Sequence, residues 1–261
     1  MTAREKLSAA LQAVGSYLCI GIDLHARYVR GRSAQALIEW VEPIVEVGRS
    51  RCIAFKINLA FIEALGVEGW SMLERLVHLV PDDRLLIFDG KRGDIGSTAE
   101  AYAAAAFERF GADAVTVNPY MGRDAIEPFT AYADKLTFAL ALTSNDGARD
   151  LQLVNCDGAP IYQRVIESLL AIPWQDRLGF VVGATHPEQL SHVRHCVGRD
   201  CPLLIPGVGS QGGEIEAVRS ANAGGVAAVN VSRGILDAYW DGGVEGLRAA
   251  VEQYSRLLAV I

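Results

Sequence analysis

Short apolar runs alternate with helical stretches along the whole chain, and this βα order limits its architecture more than any other feature. The runs are Tyr17 to Ile22, Cys52 to Ile57, Arg84 to Phe88, Ala114 to Asn118, Leu136 to Leu142, Gly179 to Gly183, Pro202 to Ile205 and Val226 to Val231, eight in all. Most are apolar at nearly every position, as expected of parallel strands covered on both faces. Between the first two runs, Leu37, Trp40, Val41, Ile44 and Val45 keep the spacing of one helical face. Pro43 is predicted to kink or interrupt that helix. Eight βα units in 261 residues predict a (β/α)8 TIM barrel. The alternative is a doubly wound open sheet. No linker-like composition divides the chain, so residues 1–261 read as a single domain. The longest stretch without a pattern, Thr143 to Pro160, is expected to be a functional loop.

The net charge of −7 argues against nucleic acid or an anionic membrane as a partner, so an anionic ligand needs a local basic site. The apolar runs fall far short of the roughly 18–20 residues of a membrane helix, and the amino-terminal segment lacks a signal peptide's apolar core. The five cysteines are odd in number and contain no Cys-x-x-Cys pair. They suggest neither a disulfide framework nor a zinc site, and a reducing cytoplasm fits them best. His192, His195 and Cys196 share a helical face near His186, but no further ligand completes a metal set, so a solvated helix is expected there. Trp40 and Trp70 read as packing residues.

In such a barrel the chemistry gathers at the carboxyl ends of the strands. Here those ends are polar: Asp23, Lys56 and Asn58, Asp89 and Lys91, Asn118, Thr143 and Ser144, and finally Ser232 and Arg233. If strand geometry persists, the two-residue spacing of Asp89 and Lys91 turns both toward the same side. Asp94 falls on the turn that follows, and Ser97 with Glu100 forms a capping box predicted to start the next helix. Taken alone, an Asp/Lys pair is usually a surface ion pair of little energetic value. Lys56 changes that balance, because it brings a second cation to the same mouth, where paired charges stay ionised and present a fixed field to a substrate.

Gly207-Val208-Gly209-Ser210-Gln211-Gly212 matches a dinucleotide fingerprint, yet the next strand runs into Ser232-Arg233 rather than an acidic ribose ligand. In a barrel, the loops after the seventh and eighth strands commonly build a phosphate site, and Arg233 supplies the positive charge.

Taken together, Asp89-x-Lys91-x-x-Asp94-Ile95, Phe55-Lys56, Pro206-Gly-Val-Gly-Ser-Gln-Gly-Gly213 and Ser232-Arg233-Gly234 resemble orotidine 5′-phosphate decarboxylase. The longer stretches Phe88 to Ala99, Val117-Asn-Pro-Tyr120, Leu142-Thr-Ser-Asn145 and Val182 to Pro187 are similar to its bacterial type 2 branch. The resemblance implies decarboxylation of orotidine 5′-monophosphate to uridine 5′-monophosphate without metal or cofactor. It implies Lys91 as the proton donor to C6, Asp89 beside the departing carboxylate, and Lys56 and Asp94 as the groups that hold the charge array. By the same resemblance, Asp23 and Lys56 contact the ribose, Ser144 the pyrimidine, and Gln211 with Arg233 the phosphate, with Ser232 a further substrate-binding residue. Asp94, Ile95 and Thr98 are then expected to reach the site of a second subunit, which makes the assembly a homodimer with shared sites. One departure stands out: Asp146-Gly147 follows Asn145 where the resemblance leads one to expect Pro-Gly. The nearest enzyme alternative is a magnesium-dependent sugar-phosphate decarboxylase or aldolase, and a different class is a barrel that only binds a nucleotide phosphate.

Overall fold

Strands that are apolar on both faces need cover on both, and the computed structural model, which describes residues 1–209 and 214–260, provides it. In chain order the strands are β1 (Leu18–Ile22), β2 (Ala54–Asn58), β3 (Leu85–Arg92), β4 (Ala114–Val117), β5 (Leu136–Leu142), β6 (Asn155–Cys156), β7 (Ala159–Pro160), β8 (Leu178–Val182), β9 (Leu203–Ile205) and β10 (Ala227–Val231). Among the described residues, β6 and β7 form a small antiparallel hairpin, and the other eight close into a parallel barrel. Closure is explicit at β1, which pairs with β2 through Cys19 and Ala54 and with β10 through Leu18 and Val229. An open sheet would leave one of those edges unpaired, so the doubly wound alternative is excluded.

Inside the barrel, period-two alternation stacks side chains in layers. The lower layer is apolar, with Ala54, Ile87, Ala114 and Ala228 in one cluster that also takes Phe138 and Val181. Two residues further along the same strands stand Lys56, Asp89, Thr116 and Asn230. The amino-terminal helix Ala3–Val14 plugs the opposite end with Ala3, Leu7 and Ala10, and the side chain of its N-cap Thr2 accepts from the Glu5 backbone N–H. The polar layer therefore opens only toward the carboxyl ends of the strands.

Three local expectations need correction. The helix Ala34–Gly48 runs through Pro43 without interruption. Proline removes one backbone bond on the side of the exposed Glu39 and Glu42, while Leu37, Trp40, Val41, Ile44 and Val45 stay buried and hold the helix down. The helix after β3 spans Gly96–Ala104 with Ile95 at its N-cap and no side-chain cap bond, so Ser97 and Glu100 do not form the expected box. Asp94 Oδ1 instead accepts from the Ile95 N–H at 2.9 Å, and the chain enters the helix before Ser97 can act as a cap. The stretch from 143 to 160 is not featureless, since it holds the helix Ala148–Leu151 and the β6–β7 hairpin. Trp40 and Trp70 pack as expected: Trp40 stacks between Tyr28 and Tyr239, and Trp70 stacks on Phe110.

Candidate active site

The polar layer lines a cavity of about 390 Å³ at the barrel mouth. Four strands contribute polar side chains near their carboxyl ends: Lys56 and Asn58 from β2, Asp89 and Lys91 from β3, Thr116 from β4, and Asn230 from β10. Asp23, Ser144, Ser232 and Arg233 enter from the loops that follow β1, β5 and β10. A larger surface cleft of about 550 Å³, lined by Glu39, Glu42, Glu46 and Arg248, lies outside the barrel mouth.

Lys56 is 2% exposed, and its ammonium lies 2.8 Å from Asp89 Oδ2 and 3.6 Å from Asp23 Oδ1. Burial alone would push its pKa down, but Asp23 and Asp89 outweigh that and hold it above the ordinary lysine range. Burial likewise works to raise the Asp89 carboxyl, and Lys56 and Lys91 overcome it and keep the group well below the usual carboxylate range. Lys91 Nζ donates to Asp89 Oδ1 at 2.6 Å, and this side chain is 47% exposed toward the cavity opening. The array thus alternates cation and anion from the buried Lys56 to the accessible Lys91. Strand alternation is not what joins the last pair, because Lys91 has left strand geometry, with φ +45°.

Two buried oxygens at the cavity, Asp23 Oδ1 and Ser232 Oγ, have no hydrogen-bond partner among the described residues. Both line the cavity, where a ligand's polar groups can reach them, and Asp23 Oδ1 also lies 3.6 Å from the Lys56 ammonium. Gly21 gives this wall its room: a β-carbon there would fall 2.8 Å from Ser232 Cβ and 2.9 Å from Asn230 Oδ1. Arg233 opens the helix Arg233–Leu257, so its guanidinium and the helix amino terminus stand at the same rim. Gly207 and Gly209, at φ +98° and +78°, turn the chain beside it after β9.

Of the sequence-predicted residues, Asp23, Lys56, Asp89, Lys91, Ser144, Ser232 and Arg233 meet in this cavity. Asp94, Ile95 and Thr98 do not line it, and Ile95 and Thr98 are exposed. Gln211 lies outside the described residues. Asn58 lines the cavity and also caps the following helix by accepting from the Ala60 N–H. Asn118 does not line the mouth, and its side chain accepts from the Tyr120 N–H in the next turn. Sequence reasoning missed Thr116 and Asn230. For Asn230 the signal was present, because an amide inside the otherwise apolar strand Ala-Ala-Val-Asn-Val is seldom buried without a purpose. Thr116 gave none, since threonine is an ordinary strand former.

Comparison with known proteins agrees with this geometry. A family model described as orotidine 5′-phosphate decarboxylase / HUMPS family matches residues 16–248. The chain is 43% identical over 252 residues to the orotidine 5′-phosphate decarboxylase of Herpetosiphon aurantiacus, covering 94% of this chain and 92% of that one. It is 44% identical over 262 residues to that of a Roseiflexus strain, covering 96% and 93%. The solved structure of Leishmania donovani OMP decarboxylase matches with a TM-score of 0.87 at 34% identity, covering 99% of this chain and 98% of that one. A closed βα barrel with this ordered set of charges at its mouth, matched by relatives along nearly its full length, leaves one assignment: the chain belongs to the orotidine 5′-phosphate decarboxylase / HUMPS family.

Proposed function

We propose that this chain converts orotidine 5′-monophosphate to uridine 5′-monophosphate and carbon dioxide, the last step of de novo UMP synthesis. The observation that carries the reading is the Lys56–Asp89–Lys91 array in a cavity whose far rim holds Arg233. The C6–carboxylate bond breaks, carbon dioxide leaves, and the electron pair stays on C6. The Lys91 ammonium faces that developing carbanion, stabilises it and then donates the proton that completes the product. Asp89 sits beside the departing carboxylate, and repulsion between the two raises the ground state. Lys56 keeps Asp89 ionised and in place. Asp23 and Lys56 take the ribose hydroxyls, Ser144 the pyrimidine, and Gln211, Ser232 and Arg233 the phosphate end.

The same reading makes the whole chain, residues 1–261, one catalytic domain, working in the cytoplasm without metal or cofactor. Among the described residues no helix is long and apolar enough to cross a membrane, and all five cysteines are free. It also makes the assembly a homodimer in which the partner's Asp94, Ile95 and Thr98 complete each site. Support comes from the turn around Asp94, whose Gly93 lies against Asn118, so that exposed Ile95, Tyr120 and Met121 stand on adjoining loops.

Loss of orotidine monophosphate absorbance on addition of the protein tests the reaction. Turnover is expected to persist in excess EDTA, whereas loss on chelation would favour the magnesium-dependent alternative. Binding of uridine monophosphate without turnover of the orotidine compound would leave only a nucleotide-binding barrel. Arg233→Ala is expected to raise KM by about 10- to 150-fold, the value of one or two charge-assisted hydrogen bonds, with a smaller change in kcat. Steady-state kinetics decide this, and an unchanged KM would remove Arg233 from the phosphate end.

A further inference from the structure

We propose that Thr116 is a positioning residue that sets the reacting geometry of Lys91 and Asp89 through one hydroxyl. The inference rests on the reading of Lys91 as the proton donor. β3 and β4 are in register at Phe88 and Val115 and again at Arg92 and Val117, so four steps along β3 answer two along β4. Asp89, Gly90 and Lys91 therefore bulge out of the ladder. Lys91 is carried to φ +45°, a left-handed backbone that a residue with a β-carbon adopts only when its surroundings hold it there.

The side chain that holds it is Thr116, which is 1% exposed and opposite the bulge. Thr116 Oγ1 accepts from the Lys91 backbone N–H at 2.9 Å, replacing the bond that the ladder would have supplied. The same hydroxyl lies 3.0 Å from Asp89 Oδ1, and because an ionised carboxylate only accepts, the hydroxyl proton must point there. Asp89 Oδ1 also receives Lys91 Nζ. One hydroxyl therefore closes a ring that includes the Lys91 backbone, its ammonium and the Asp89 carboxylate. Valine has nearly the shape of threonine but can neither accept from Lys91 nor donate to Asp89.

Thr116→Val and Thr116→Ser, made in the full chain, test this. Thr116→Val is expected to lower kcat by about 10- to 100-fold, the scale of a small misplacement of a reacting group. Its affinity for uridine monophosphate should stay within a few-fold of the parent, at full binding stoichiometry, so that lost activity is not lost folded protein. Thr116→Ser keeps the hydroxyl and should return most of the activity. Parent-like kcat in Thr116→Val, or equal damage from Thr116→Ser, would overturn the proposal. A crystal structure of Thr116→Val gives a readout independent of turnover: Lys91 should leave the left-handed region or Asp89 should rotate, and unchanged positions of both would also refute it. Should the valine variant fail to fold, Thr116→Ala removes the same hydroxyl and is judged by the same measurements. A parent protein without decarboxylase activity would sink the functional reading, while the crystallographic comparison would still decide the role of Thr116.

Discussion

Lys91→Ala will lower kcat by about 10⁴-fold or more, because the one side chain is asked to supply both a positioned proton and the charge that faces the carbanion. The variant should fold normally. Lys91 is half exposed, and Asp89 keeps Lys56 at 2.8 Å and Thr116 at 3.0 Å after the truncation. Affinity for uridine monophosphate should also survive, since Arg233 and the loops after β5 and β10 lie elsewhere around the mouth. Turnover from absorbance loss, set beside product affinity from calorimetry, separates these outcomes. Near-parental turnover would overturn the proposed mechanism.

Lys56→Met is expected to have the largest effect on stability. Methionine keeps most of the stem's volume and removes only the ammonium, leaving Asp89 and Asp23 deep in the mouth without their buried cation. Breaking a buried pair from one side costs about 3–5 kcal/mol, which for a chain of this size lowers Tm by something on the order of 10 °C. Turnover should fall with it, because Asp89 loses a partner that fixes its position. The pH dependence carries a sign that can be checked. In the parent, Asp89 is held below the usual carboxylate range and Lys56 above the usual lysine range. The contribution of Asp89 is therefore fully present above about pH 4 and lost only as the pH falls through its lowered folded value. That of Lys56 is fully present below about pH 10 and lost only above it. In Lys56→Met the Asp89 carboxyl loses one of the two cations that offset its burial and keeps Lys91, so its pKa rises from the parent's depressed value and the Tm deficit against the parent should narrow on acidification. Thermal unfolding at several pH values measures this, and a Tm deficit that does not shrink on acidification would count against an ionised Asp89 held by Lys56.

The strands were legible in the sequence because burial on both faces leaves a local mark, a run of apolar residues with a polar residue at its end. Asp89 was found in that way, as the first polar residue beyond its run, while Lys56 stood out as a charge near the end of an apolar run and Arg233 as the cation just past Ser232. Local rules failed where tertiary contacts outweighed them. Pro43 sits inside an unbroken helix because the buried face of that helix is worth more than one backbone bond. The expected Ser97–Glu100 box is absent because the helix starts at Gly96, which places Ser97 inside its first turn rather than at the cap. The pairing of Asp89 with Lys91 was anticipated from alternation, yet it is made by a bulge that alternation does not describe.

By itself, then, the sequence determined which residues alternate inward and which end each strand, since both follow from the period of an extended chain and from burial. Tertiary structure alone decided that β10 closes on β1 and that Thr116 stands opposite the Lys91 bulge. These depend on the register between strands, which is set by the pairing of segments far apart in the chain and so leaves no mark within any one of them.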